Sequence, residues 1–265
     1  MESGRQLVKT AVRVVGGFRQ TARRLGVLVL DQLYPPLCLH CEAAVAEADA
    51  LCAACFAQLR PITAPYCPVL GIPFEIPLGP DAVSAEAIAD PPPFGRARSA
   101  VLYNAVARKL VARLKYGDRP ELASFCAKFM ASAGRDLWAD DPVLLPVPLH
   151  RVRQFERRYN QSAELARALS AITGLRVDPL LVSRTRRTKR QVGLSADARN
   201  RNVAGAFAAR PGAVERLRGR RVVIVDDVVT TGSTVKAVTH ALRRAGVEQV
   251  DVISFARVSV AGDLS

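Results

Sequence analysis

Residues 222–237 read "VVIVDDVVTTGSTVKA". Val222, Val223, Ile224 and Val225 are β-branched and run straight into two acids, Asp226 and Asp227. Thr230, Thr231, Ser233 and Thr234 then surround Gly232, and a helix-like tail follows. A continuous apolar run of this kind marks a strand buried on both faces. Ligands of such sheets bind beyond the carboxyl ends of the strands, and the acid pair is read as standing at that end. Neighbouring strand residues point to opposite faces, so both acids serve one ligand only if the chain turns there. The row from Thr230 to Thr234 is read as that turn, opening a helix over 233–245 whose N–H groups and dipole favour an anion. The dipole contributes roughly 0.3–1 kcal/mol, up to ~2 when partly buried. Amide and hydroxyl bonds to phosphate carry the rest, and Gly232 lets the backbone come close. Two carboxylates repel phosphate and suit nearby hydroxyls, such as a ribose 2′,3′ pair. Acids plus an anion cradle describe a sugar phosphate. One capping Ser or Thr needs no ligand; a whole row of them behind two acids exceeds what a cap requires.

Outward from this strand the pattern alternates. Residues 97–104, 142–149, 176–184, 205–209 and 249–258 read as strands; 105–117, 120–138 and 158–174 read as helices, the last stopped by Gly174. The fold class is α/β: a mostly parallel sheet flanked by helices on both faces. Two nucleotide signatures are missing. No G-x-G-x-x-G occurs, and Lys9-Thr10 follows Val8 rather than the glycine of a phosphate-binding loop.

Upstream lie "CLHC" (Cys38, Cys41) and "CAAC" (Cys52, Cys55). Two such knuckles at this distance suit one tetrahedral Zn²⁺, and a lobe this small needs a staple to fold. Disulfides are the rival reading, which the lack of an export signal disfavours. His40 sits inside the first knuckle, its ring expected to point away from the metal. Cys67 opens "CPVLG", where a further knuckle would need a cysteine at Leu70, so it reads as a free or lost ligand. Cys126 falls on an apolar helix face and reads as core. Residues 68–95 are rich in Pro and Gly and read as an irregular connection. Three parts are expected: a basic amphipathic extension over 1–33, a cysteine-knuckle zinc region with linker over 34–95, and an α/β domain over 96–260.

The chain of 265 residues carries a net charge of +14. That excess suits polyanions or phosphorylated ligands, or else a solvated Arg-rich surface. Aromatics are few, at 6%, which weakens any base-stacking platform. No apolar run reaches the ~18–20 residues that span a bilayer, and a cytoplasmic protein is expected. Residues 5–33 read as an amphipathic helix, either on an anionic surface or packed on its own domain.

"VVIVDDVVTTGST" resembles the phosphoribosyl-pyrophosphate (PRPP) motif of type I phosphoribosyltransferases. "PPLCLHC", "LKYGDRPEL", "PVPLHRVRQFERRYNQSAELA", "RQVGLSADARNRNVAGAF" and "VISFARV" extend the likeness to the ComF family over roughly residues 27–258. The resemblance implies a type I phosphoribosyltransferase-like domain behind a zinc-bearing one. It implies that Asp226 and Asp227 hold ribose hydroxyls and that Thr230, Thr231, Gly232, Ser233 and Thr234 hold the 5′-phosphate. Lys115, in "LKYGD", is then the cation for pyrophosphate; a lysine on a helix dipole is the alternative. Mg²⁺ is expected to arrive on the ligand's oxygens. The Arg-rich stretch 183–202 falls where related enzymes carry a mobile loop; a solvated basic loop or a nucleic-acid contact is the alternative. His150 reads as a base for an acceptor or as a surface histidine. The implied role is in natural competence, with single-stranded DNA and DNA-uptake proteins as partners. Two functions stay open: a Mg²⁺-dependent phosphoribosyltransferase of unknown acceptor, and an inactive single-stranded nucleic-acid-binding module on the same scaffold.

Overall fold

A computed structural model describes residues 35–79, 82–116, 121–150, 159–186, 196–217 and 219–258. The expected helix over 5–33 lies outside them. The chain divides into two compact units, 1–53 and 54–265. No described helix is long and apolar enough to cross a membrane.

The second unit is built on four parallel strands in the order β1 (Ala97–Leu102), β6 (Val250–Arg257), β5 (Val222–Val229), β2 (Val143–Pro146). The two central strands, β5 and β6, are buried almost throughout, as a parallel sheet covered on both faces requires. Between β1 and β2 run α3 (Ala105–Tyr116) and α4 (Glu121–Ala133), after the short α1 (Ala53–Gln58) and α2 (Ala85–Ala89). After β2 comes α5 (Gln161–Thr173); α8 (Ser233–Arg244) links β5 to β6. Each outer strand is covered. Ile62 and Leu102 exchange backbone bonds with Ala100 and Arg60 along β1, and Leu144 pairs with Val177 along β2. Covered edges offer no row of unpaired backbone groups to another chain.

Local signals explain the helices. α5 starts at Asn160, whose side chain accepts the Ser162 N–H at 3.0 Å, and stops at Gly174 with φ 75°. Its buried positions Ser162, Leu165, Ala166 and Leu169 follow helical spacing. In α3, Leu110 and Leu114 stand one turn apart and are fully buried. Burial of each contributes about 1.5–3 kcal/mol against leaving it in water. In α8 the last turn carries Arg243 and Arg244, placed well for the carboxyl end of the dipole.

Two expectations change. The short strands near 182 and 207 do not join the main sheet: β3 (Val182–Arg184) and β4 (Phe207–Ala209) form their own antiparallel ribbon, with α6 (Ala196–Val203) between them and α7 (Ala213–Leu217) after. Their backbone groups pair with each other, at Val182–Ala209, Ser183–Ala208 and Arg184–Phe207. Residues 68–95 are not merely a connection either. Cys67, Leu70, Ala87 and Phe94 belong to the same buried cluster as β5 and α8.

Candidate functional site

The acid pair was expected at the end of β5, on a turning chain. β5 instead continues to Val229, pairing Val228 with Ala256 and Val229 with Arg257. The acids therefore sit inside a regular strand, and both are buried. A side-chain bond unites them rather than a turn: the Asp227 N–H donates to Asp226 Oδ1 at 2.9 Å. Ser162 Oγ, in the first turn of α5, donates to the same oxygen at 3.2 Å. Asp227 Oδ1 accepts the Val228 N–H at 3.0 Å.

Asp227 Oδ2 faces Lys115 Nζ at 2.7 Å, across from the last turn of α3. Burial pushes the Asp226 carboxyl up to about 7, and the charge of Asp227 adds to that rise; the Asp227 amide and Lys115 oppose it. Cys126, fully buried on α4, has its thiol pushed up by burial first and by the Asp227 charge second. The site thus holds one carboxyl near neutrality and one ion-paired carboxylate. A protonated carboxyl can donate a hydrogen bond and a carboxylate can accept one.

Beyond Val229 the chain turns through Thr230, Thr231 and Gly232 into α8. Gly232 is the N-cap residue with φ 74° and offers no side-chain cap. A Cβ there would meet only the Lys236 and Val235 side chains at 3.8 Å, so the left-handed backbone is what calls for glycine. Thr231 and Ser233 hydroxyls lie 2.6 Å apart and bond each other. Ser233 is buried, while Thr230, Thr231, Gly232 and Thr234 are half-buried.

Other expected residues fall as follows. Gly117 and Asp118 of "LKYGD" lie outside the described residues, as do 187–195 of the Arg-rich stretch. Arg186 is committed to the carbonyls of Asn202 and Ala204, at 3.2 and 2.7 Å. His150 is half-buried beyond β2. Sequence reasoning missed Ser162, which nothing in the linear order connects to Asp226, and Asn160, which ties the start of α5 to the Val147 carbonyl at 3.0 Å. The polar triplet "NQS" at 160–162 was the available signal.

The four cysteines come together as expected: the sulfurs of Cys38, Cys41, Cys52 and Cys55 all lie within 4.8 Å of one another. Tetrahedral Zn–S bonds of ~2.3 Å put sulfurs about 3.8 Å apart, so the donor set fits zinc. Cys41 and Cys52 sulfurs are 3.6 Å apart and unbridged. Cys38 Sγ accepts the N–H groups of Cys52 at 3.2 Å and of His40 at 3.4 Å. Burial works against its ionisation, yet these donors and those of Cys41 outweigh it and lower the thiol to about 6. His40 therefore contributes its backbone to the knuckle.

Comparison with known proteins agrees with this architecture. A profile described as "Phosphoribosyl transferase domain" matches residues 97–261, and one described as "Double zinc ribbon domain" matches 29–87. The chain is 33% identical over 228 residues to "DNA utilization protein YhgH" of Escherichia coli O6:H1, covering 82% of this chain and 95% of the relative. The protein of that name in Salmonella typhimurium is 33% identical over 225 residues, with the same coverage. "Competence protein F" of Haemophilus influenzae is 35% identical over 153 residues, 56% of this chain and 66% of its own. A parallel sheet closed by helices, a four-cysteine cluster ahead of it and a relative matched over 95% of its length together make the chain a member of the ComF family, with a double zinc ribbon region preceding a phosphoribosyltransferase domain.

Proposed function

We propose that the chain binds PRPP or a related ribose 5-phosphate ligand at the carboxyl end of β5 and acts in DNA uptake. One observation carries the reading: two buried, mutually bonded aspartates face a lysine, and the same strand turns into a hydroxyl-rich helix start. Asp226 and Asp227 hold the ribose hydroxyls. Thr230 to Thr234 hold the 5′-phosphate through hydroxyl and amide donors. Lys115 exchanges a carboxylate for the ligand's pyrophosphate and offsets the charge gathering there. Mg²⁺ would arrive on the ligand's oxygens and would supply positive charge against the pyrophosphate beside Lys115. The chemistry served is displacement of pyrophosphate from the ribose anomeric carbon. The bonding electron pair leaves with pyrophosphate while an acceptor's lone pair forms the new bond.

The names of the relatives, concerned with DNA utilisation and competence, support placing this site in the handling of incoming single-stranded DNA beside DNA-uptake proteins. The charge of +14 supports a second reading, a binding module without turnover, since a polyanion is attracted whether or not the site is active.

Calorimetric titration with PRPP, with and without Mg²⁺, tests the site. Saturable Mg²⁺-dependent binding, weakened at least tenfold in Asp226→Asn and Asp227→Asn, is expected. A wild-type protein that binds neither PRPP nor ribose 5-phosphate removes the proposal. For the second reading, a single-stranded oligonucleotide titration that stays flat at low salt removes DNA binding.

A further inference from the structure

Residues 36–87 contain a backbone pattern that occurs twice. In the first copy the Cys38 N–H donates to Ala43 O at 2.8 Å, Glu42 N–H to Cys38 O at 3.1 Å, and Val45 N–H to Pro36 O at 2.8 Å, with Leu37 bridged to Ala44. Adding 29 to each number gives the second copy. Cys67 N–H donates to Ile72 O at 2.8 Å, Gly71 N–H to Cys67 O at 2.8 Å, and Phe74 N–H to Pro65 O at 2.9 Å, with Tyr66 bridged to Pro73. Glu42 and Gly71, equivalent by this shift, share the left-handed backbone, with φ 66° and 65°. Each copy also receives a second knuckle. Cys52 N–H donates to Cys38 Sγ at 3.2 Å, and Ser84 N–H donates to Cys67 Sγ at 3.4 Å. Ser84 and Ala87 are spaced like Cys52 and Cys55, and Ala87 N–H donates to Ser84 Oγ at 3.4 Å.

The donor atoms are not repeated. Where the first copy has Cys38, Cys41, Cys52 and Cys55, the second has Cys67, Leu70, Ser84 and Ala87. One thiol, one alcohol and two hydrocarbon side chains cannot complete a thiolate tetrahedron. All four are buried, and Cys67, Leu70 and Ala87 join the core of the large unit. Two buried arginines hold the knuckle to the sheet. Arg257 of β6 donates to Leu70 O at 2.8 Å, and Arg98 of β1 donates to Pro68 O at 2.9 Å while lying over the Tyr66 ring. A Cβ at Gly71 would stand 2.5 Å from Ala97 O, so this copy is seated on β1 itself.

We infer that residues 65–87 are a second zinc-ribbon copy that has given up its metal for an apolar plug anchored by Arg98 and Arg257, so that the chain binds one zinc ion, and that Leu70→Cys, Ser84→Cys and Ala87→Cys together restore a second site. Packing and charged hydrogen bonds now perform the stapling that thiolate–metal bonds perform in the first copy. The matched region spans both copies, and among the described residues only the first gathers four ligands.

Metal content of the full-length purified protein decides this. Elemental analysis is expected to give one zinc per chain, falling to near zero in Cys38→Ser/Cys52→Ser and unchanged in Cys67→Ala. The triple-cysteine variant is expected to take up a second equivalent of Co²⁺ with thiolate-to-metal charge-transfer absorption. Two zinc ions in the wild type, or loss of zinc on Cys67→Ala, overturns the proposal. A folded triple variant that stays at one metal overturns the equivalence of the two copies. If that variant does not fold, the zinc stoichiometry of the wild type and of Cys67→Ala still decides between one bound ion and two.

Discussion

Lys115 Nζ and Asp227 Oδ2 stand 2.7 Å apart, the lysine from the last turn of α3 and the aspartate from within the buried strand β5. The lysine is 26% exposed and the carboxylate 7%, so the pair is shielded on the acid's side and open on the base's. That asymmetry suits a cation that leaves one anion for another.

Removing the cation leaves Asp227 buried and unpaired. Lys115→Met is expected to destabilise the protein by about 1–3 kcal/mol, below the cost for a fully buried pair because the lysine is partly solvated. Affinity for Mg²⁺–PRPP is expected to drop at least tenfold. Thermal melts and calorimetry read both effects; unchanged affinity would show that Lys115 serves the fold alone.

The raised Asp226 carboxyl predicts a pH dependence of stability. Its folded value is about 7 against 3.8 unfolded, so between those values the folded state holds the proton more tightly. Stability from this group is then full below ~4 and is lost as pH rises towards 7, by no more than about 4 kcal/mol. Urea denaturation at pH 5.5 and 7.5 is expected to show Asp226→Asn losing less stability over that interval than the wild type. Equal losses would place the proton elsewhere.

Gly71 and Gly174 have similar φ, 65° and 75°, in different surroundings. A Cβ at Gly174 meets nothing within 4 Å, whereas at Gly71 it meets a backbone carbonyl at 2.5 Å. Gly174→Ala is expected to cost about 1 kcal/mol, from backbone strain alone. Gly71→Ala is expected to cost roughly 2–4 kcal/mol, as β1 or the knuckle must move. Chemical denaturation of both variants checks the ranking.

Chelation of zinc is expected to act locally. Amides 38–52 include the donors to Cys38 Sγ and lose their reason to stay ordered without the metal. Hydrogen exchange after treatment with a chelator should speed up there while the β5 and β6 amides stay protected. Simultaneous loss of protection in the sheet would tie its stability to the metal.

Much of this was legible in the linear chain. The apolar run 222–225, the Gly174 stop and the spacing of Cys38, Cys41, Cys52 and Cys55 are local signals, set by backbone sterics and ligand geometry over a few residues. They determine a buried parallel sheet and a four-cysteine cluster. Only the tertiary structure decided how far β5 runs, because the partner β6 keeps offering hydrogen bonds past the acids. It alone brought Ser162 to Asp226 and Lys115 to Asp227, since those meetings depend on where α3 and α5 end against the sheet. Of the second ribbon copy the linear chain showed only Cys67 and a knuckle broken at Leu70; the rest of its pattern lies in backbone hydrogen bonds, which any side chain can make, with Ser84 and Ala87 standing at the other two ligand positions.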